Sequence, residues 1–140
     1  ATSIDDAIDE VRLLASSLPG DFAVDVEHYG DLTLIAVRGT LVSSGCGVEV
    51  DLHVVERAGG VTVPSYRIDV RRGGGLVWRA DKHPGHESAP GMGGRPEHRH
   101  VPTDGAERRI PDKPQTLTSI QSDLVSTNLE IADADDHPAD

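Results

Sequence analysis

The sequence is poor in cysteine, lysine and aromatic residues. Aromatic residues make up 3% of its 140 residues, and Lys82 and Lys113 are its only lysines. Cys46 is its one cysteine, which excludes a disulfide within the chain. This cysteine stands among small residues in "SSGCGVEV", which favours a small buried side chain over a reactive thiol.

Long hydrophobic runs are also missing. No apolar run approaches the ~20 residues that a membrane helix needs. The N-terminus is acidic and lacks the basic flank of a signal peptide. We therefore expect a cytoplasmic protein that makes no membrane contact.

Acidic residues, in contrast, are abundant. The chain has 24 Asp and Glu against 13 Lys and Arg, and its formal net charge is −11. Much aspartate and little lysine is typical of proteins from salt-accumulating halophiles, above all archaea, because acidic surfaces stay hydrated in concentrated salt. We expect a halophilic protein whose folding depends on high ionic strength.

The charge is spread unevenly along the chain. Residues 1–66 carry a net charge of −8, residues 67–113 carry +3, and residues 114–140 carry −6. A basic island in an acidic protein indicates an anionic ligand. The alternative is that these arginines pair with acidic residues of the same molecule.

Periodicity predicts a single α+β domain over residues 1–131. The helical spacing of "TSIDDAIDEVRLLASSLPG", with Ser3 as N-cap, predicts a first helix. Alternating polar and apolar residues between glycine turns then predict an antiparallel meander of about five strands. "TLTSIQSDLVSTNLEI", with Thr116 as N-cap, predicts a second helix, and we expect both helices to pack on one face of the sheet.

Two segments lack this periodicity. Residues 81–114 are rich in histidine, glycine and proline, and we interpret them as a long functional loop with a short extended piece near "EHRHV". Residues 132–140 are interpreted as an acidic disordered tail.

The first of these segments holds four of the seven histidines, in "DKHPGHESAPGMGGRPEHRHVP". Cleavage of RNA without a metal needs a base for the 2′-hydroxyl, an acid for the leaving oxygen and cations for the phosphate. Imidazole and guanidinium suit these roles. The candidate catalytic residues are His100, which is our first choice for proton transfer, His98, His83, His86 and Asp81. The candidate phosphate-binding residues are Arg99, Arg95, Arg79 and Lys82.

Two other interpretations of the histidines stay open. One is a zinc site made by His83, His86, His98 and His100, completed by Asp81 or Glu97. In that case we expected only one of His98 and His100 to be a ligand. The other is that these side chains merely fasten a glycine-rich loop onto the sheet.

Residues 40–131 resemble the TumE-type family of small toxins from toxin–antitoxin modules. The matching pieces are Trp78 to Asp81, the histidine pair His83 and His86, the element from Pro96 to His100, and the helix that begins at Thr116. The resemblance implies a toxin that acts on RNA or translation and is neutralised by an antitoxin, often one with a helix-turn-helix. The competing function classes are a non-catalytic binding module that partners a transcriptional regulator, and a histidine-ligated metal-dependent hydrolase.

Overall fold

The computed structural model describes residues 3–83, 96–103 and 106–136. Two helices, near the two ends of the chain, flank a run of strands, so the predicted α+β class is confirmed. In chain order the elements are α1 (Ile4–Ser17), β1 (Gly20–Tyr29), β2 (Leu32–Leu41), β3 (Gly47–Arg57), β4 (Gly60–Arg72), β5 (Gly75–Lys82), β6 (Glu97–Thr103), β7 (Ala106–Pro111) and α2 (Leu117–Asp136).

The strands form one antiparallel sheet of seven strands in the order of the sequence, from β1 to β7. The predicted number of about five strands is therefore too low. Both additional strands, β6 and β7, lie within residues 81–114, which we expected to be a loop apart from a short extended piece near "EHRHV". Strand β6 lies at that piece. Strand β6 buries His98 and His100 where an ordinary strand buries apolar residues, and most of β7 is exposed, so neither strand has the alternation that reveals a strand.

Both helices begin at the predicted caps. In α1 the backbone N–H of Asp6 donates to Oγ of Ser3 over 3.1 Å. At the start of α2 the backbone N–H of Ser119 donates to Oγ1 of Thr116 over 3.1 Å, and the N–H of Thr116 donates back to Oγ of Ser119. These bonds satisfy N–H groups that the first helical turn leaves without a partner. Helix α2 continues to Asp136, whereas the acidic tail was expected to begin at residue 132.

The core lies between the two helices and one face of the sheet. Its residues project from alternate positions of the strands and from one side of each helix, and they form a single hydrophobic cluster. This cluster includes Val11 and Leu14 of α1, Ile120 and Leu124 of α2, and Ile35, Val37, Val50, Ile68, Val70 and Ala80 of the sheet. Both helices therefore pack on the same face. Cys46 is fully buried, as its small neighbours predicted.

The turn between β4 and β5 sets the register on which the candidate site depends. Gly73 and Gly74 have φ values of +57° and +81°, a region that other residues adopt at a cost. This turn places Arg67 of β4 opposite Asp81 of β5. Neither helix of the described ranges is both long and apolar enough to cross a membrane.

Candidate functional site

The face of the sheet that is turned away from the helices, here called the polar face, carries two rows of polar side chains on β4, β5 and β6. Asp81 pairs with Arg67 on one side and with His98 on the other, and Arg79 pairs with His100. Residues two apart in a strand project from the same face, so His98 and His100 lie together. Their ring centroids are 5.0 Å apart. The expectation that only one of them could join a common site is therefore wrong.

The carboxylate of Asp81 is the centre of this group. Its Oδ2 lies 3.3 Å from Nε2 of His98 and 3.2 Å from Nε2 of His100. The same oxygen accepts a hydrogen bond from Nε of Arg79 over 3.1 Å, and Oδ1 accepts one from Nε of Arg67 over 3.3 Å. We call these five residues the Asp81 cluster. One carboxylate is therefore in contact with two guanidinium groups and two imidazole rings.

The centre of the Asp81 cluster is buried although it lies on the polar face. Asp81 is 7% exposed, His98 is 2% exposed and His100 is 7% exposed. Electrostatic interactions are stronger in such surroundings than in water, and a buried charge without a partner is costly there. Arg67 is the accessible member, because its side chain is 56% exposed.

The two imidazoles have different hydrogen-bond partners. Nδ1 of His98 lies 3.4 Å from the carbonyl oxygen of Pro96, to which it can donate. Nη2 of Arg79 lies 3.2 Å from Nε2 of His100 and can donate to the lone pair of the neutral ring. In that state the proton of His100 is on Nδ1.

The surroundings of His100 favour its neutral form. Burial lowers the pKa of His100 below its ordinary value, and the charges of Arg79, His98 and Arg109 act in the same direction, while Asp81 opposes them. A neutral imidazole at neutral pH is able to accept a proton. His100 therefore has the properties of a general base.

A cavity of about 340 Å³ opens on the polar face beside the cluster. Its lining includes Arg67, Asp81 and His83, as well as Asp51 and His53 of β3. Burial raises the pKa of Asp51, and the neighbouring Glu49 raises it further. The cavity gives a ligand a route to the Asp81 side of the cluster.

The structure brings together four of the residues that the sequence singled out, namely Asp81, Arg79, His98 and His100. His83 lines the adjoining cavity. Arg67 and Asp51 were missed, although the register of the glycine-turned hairpin offered a signal for Arg67, because it sets that arginine opposite Asp81. His86 and Arg95 lie outside the described residues.

Two predicted phosphate ligands lie on the helix-covered side instead. Nη2 of Arg99 pairs with Oδ2 of Asp123 in α2 over 3.0 Å, and its guanidinium carbon lies 4.3 Å from the ring centroid of Trp78. Nζ of Lys82 donates to the carbonyl oxygen of Val63 over 3.1 Å. The structure does not bring either side chain to the Asp81 cluster, although Lys82 also contributes to the lining of the adjoining cavity.

Asp81, His98 and His100 also form a group with the composition of a metal site. Each offers one ligand atom, and the three atoms lie within 4.8 Å of one another. Within the described ranges, no other group of three or more histidine, cysteine or acidic side chains comes this close together. Of the four histidines of the zinc site suggested by the sequence, His98 and His100 belong to this group with Asp81, His83 does not, and His86 lies outside the described residues.

Comparison with known proteins identifies no relative. No protein-family model, no curated protein and no solved structure matches this chain. The resemblance to TumE-type toxins therefore depends on the motifs quoted above.

Proposed function

We propose that the protein is a TumE-like toxin that binds RNA and cleaves it at the Asp81 cluster. The observation that carries this proposal is the convergence of His98 and His100 on one buried carboxylate, with the guanidiniums of Arg67 and Arg79 bonded to the same group. Two imidazoles can supply a base and an acid, and guanidiniums can hold a phosphate.

His100 is assigned the role of general base. Its lowered pKa keeps the ring neutral at neutral pH, and its Nε2 is the atom that would take the proton of the 2′-hydroxyl. Arg79 donates to this nitrogen in the structure, so that guanidinium has to turn towards the phosphate when RNA binds. This movement would free the base and bring a positive charge to the phosphate in one step.

His98 is assigned the role of general acid. When protonated it has an acceptor for each of its N–H groups, the carbonyl oxygen of Pro96 on one side and Oδ2 of Asp81 on the other. Asp81 stabilises the positive charge of this ring through a contact with Nε2. The proton on Nε2 is the one that would pass to the leaving oxygen, so its hydrogen bond to Asp81 has to break when RNA binds.

The distribution of charge supports an anionic substrate at this end of the sheet. The formal net charge of the chain is −11, which repels RNA as a whole. Arg67 lines the cavity, Arg79 pairs with Asp81 at its edge, and Arg108 and Arg109 of β7 are exposed. A phosphate backbone would therefore be attracted to β4–β7 and repelled by the acidic strands before them.

The proposal includes a partner and a place of action. A toxin of this kind is neutralised by an antitoxin, for which we propose a helix-turn-helix protein encoded by an adjacent gene. We propose that it acts in the cytoplasm, where its RNA target would be. Growth arrest on expression, and its relief by the adjacent gene, would test this part.

The decisive experiment is cleavage of a labelled single-stranded RNA in multimolar KCl by the wild type and by His100→Ala. Loss of general acid–base catalysis typically costs 10²–10⁴ in rate, and we expect a loss of about that size. His28→Ala is the matched control, because His28 is an exposed histidine on β1, at the other edge of the sheet from β6 and β7, and this variant should retain most of the activity.

Three outcomes would contradict the proposal. Full activity of His100→Ala would remove the assignment of the base. Complete loss of activity in a chelator would replace proton transfer between imidazoles by metal-dependent hydrolysis. RNA binding without cleavage by the wild type would favour the non-catalytic binding module.

A further inference from the structure

We infer that Asp81, His98 and His100 bind one divalent transition-metal ion, best fitted by Zn²⁺, and that this ion reversibly blocks the proposed proton transfer. The binding site is inferred from the geometry of the three side chains and does not depend on any activity. The inhibition rests on the proposed function.

The first argument is the spacing of the ligand atoms. Zinc lies about 2.0–2.2 Å from imidazole nitrogen and carboxylate oxygen, and a tetrahedral arrangement then separates neighbouring ligand atoms by about 3.3 Å. Oδ2 of Asp81 lies 3.3 Å from Nε2 of His98 and 3.2 Å from Nε2 of His100. Both separations match two ligands of the same ion.

The second argument is the orientation of the imidazoles. Nδ1 of His98 can donate to the carbonyl oxygen of Pro96, which leaves the Nε2 lone pair of the neutral ring directed towards Asp81. A metal-bound histidine usually donates its other N–H to a carbonyl or carboxylate in this way. Nε2 of His100 likewise presents a lone pair, which accepts from Arg79. Three protein ligands leave a fourth position of zinc for water.

Arg79 is the residue that opposes the ion. Its Nε lies 3.1 Å from Oδ2 of Asp81 and its Nη2 lies 3.2 Å from Nε2 of His100, so one guanidinium contacts two of the three ligand atoms. An ion can reach Nε2 of His100 only when Arg79 moves away from it. The affinity should therefore be lower than the ligand set alone would give. Arg79 has to leave Nε2 of His100 for zinc to bind, as it does in the proposed reaction with RNA.

The inhibition follows from competition for one lone pair. The proposed base uses the lone pair on Nε2 of His100, and the ion occupies that same lone pair. The ion also occupies Nε2 of His98, which is the atom that carries the acidic proton. RNA cleavage should consequently fall as the site fills and return when the ion is removed.

The test is a titration of chelator-treated protein with Zn²⁺ by calorimetry, with Co²⁺ absorption spectra to report the coordination geometry. We expect one high-affinity ion per chain with tetrahedral Co²⁺ spectra. His98→Gln and His100→Gln should each weaken binding by at least about 100-fold, because even outer-shell changes cost 10–100-fold. His28→Ala, at an exposed histidine of β1, should bind like the wild type. Circular dichroism of each variant without metal checks that it is folded.

Arg79→Gln is the sharpest variant, because it should bind zinc more tightly than the wild type. A neighbouring cation disfavours the binding of another positive charge, and such an effect typically shifts an equilibrium constant by about tenfold or more. We therefore expect Arg79→Gln to bind Zn²⁺ roughly tenfold more tightly than the wild type. A cluster whose role is only structural would not gain affinity for an ion when one of its arginines is removed. Unchanged or weaker binding by Arg79→Gln would overturn the assigned position of the ion.

The outcomes for the ion and for the proposed function are distinct. If the wild type binds no Zn²⁺, or if His98→Gln and His100→Gln bind it unchanged, the inferred site is wrong whatever the protein does to RNA. If the ion binds but RNA is never cut, the site stands and the proposed function fails. If cleavage requires the ion, the inhibition is overturned and the ion belongs to the reaction.

Discussion

The two faces of strands β5 and β6 use charged residues in opposite ways. On the helix-covered face, Arg99 is stacked on Trp78 and paired with Asp123, so its charge is neutralised against α2. On the polar face, Asp81 gathers two arginines and two imidazoles beside a cavity. Adjacent residues of one strand therefore contribute to different groups of charges, one that holds α2 against the sheet and one that lies beside a cavity.

The difference lies in what remains available to a ligand. The guanidinium of Arg99 is sandwiched between the sheet and α2, with Asp112 and Asp123 as its acidic neighbours. The guanidinium of Arg67 pairs with Asp81, yet more than half of its side chain is exposed. Residue type alone does not separate these roles, whereas the face from which each side chain projects does.

The largest effect on stability is expected from removing the carboxylate at the centre of the Asp81 cluster. Asp81→Ala leaves Arg79, of which 20% is exposed, without its carboxylate. Breaking a buried pair by removing one partner costs 3–5 kcal/mol, and the exposure of Arg67 favours the low end, about 3 kcal/mol. Urea denaturation in high salt measures this loss.

Asp25→Ala is the control for that variant. Its carboxylate also pairs with an arginine, Arg38, but both side chains are more than half exposed. The expected loss is at most about 0.5 kcal/mol, since exposed ion pairs contribute little. Equal losses for the two variants would mean that the Asp81 cluster is not distinguished from a surface pair.

A smaller loss of stability is expected on the helix-covered face. Arg99→Met keeps a long apolar stem over Trp78 but loses the cation–π contact and the pair with Asp123, for an expected cost of about 2 kcal/mol. RNA cleavage by the folded variant should stay within about twofold of the wild type. Cleavage that falls as far as in His100→Ala would instead support the phosphate-binding role that the sequence suggested for Arg99.

The pH dependence of stability should also reveal the contribution of His100 on the polar face. The pKa of His100 is lowered in the folded protein, while an unfolded histidine titrates near 6.5. As the pH falls below about 6.5, the unfolded chain takes up the proton first, so this contribution to stability is present above that pH and is lost as the pH approaches the folded pKa. Urea midpoints between pH 8 and pH 5 should fall more steeply for the wild type than for His100→Gln. Parallel curves would contradict this.

The smallest effect on stability is expected at the end of α2, far from the Asp81 cluster and from Arg99. Arg72 of β4 pairs with Asp135, and both side chains are over 40% exposed. Asp135→Asn should therefore cost at most about 0.5 kcal/mol. A loss above 1 kcal/mol would show that the last turn of α2 fastens the helix much more firmly than an exposed pair can.

The sequence predicted the first five strands and a short extended piece at β6, but neither the pairing of β6 into the sheet nor β7, and the reason is physical. In β3, Val48, Val50 and Leu52 alternate with polar residues, so the buried face is visible as a hydrophobic pattern. In β6 the buried positions are His98 and His100, whose burial depends on Asp81 across the sheet. A single sequence does not reveal such long-range compensation.

The residues of the candidate site, like the strands, could be predicted only in part. Asp81, Arg79, His98 and His100 stood out by residue type, because imidazoles and a carboxylate lie beside a basic island. The position of Arg67 depends on the register of the β4–β5 hairpin, and the face on which Arg99 lies depends on the pairing of β6 with β5, which was not predicted. The chemistry of individual residues was therefore easier to predict than the face on which each residue lies.

The order of the strands has a consequence for how the chain folds. Each strand pairs with its neighbour in sequence, so the sheet can grow by closing one hairpin after another, with little loop-closure entropy at each step. The contacts of α2 span much greater separations: the backbone N–H of Ser44 donates to Oδ1 of Asn128, and Nε1 of Trp78 donates to Oγ1 of Thr127. Local contacts form faster than distant ones, so we expect docking of α2 to be the late step that completes the core.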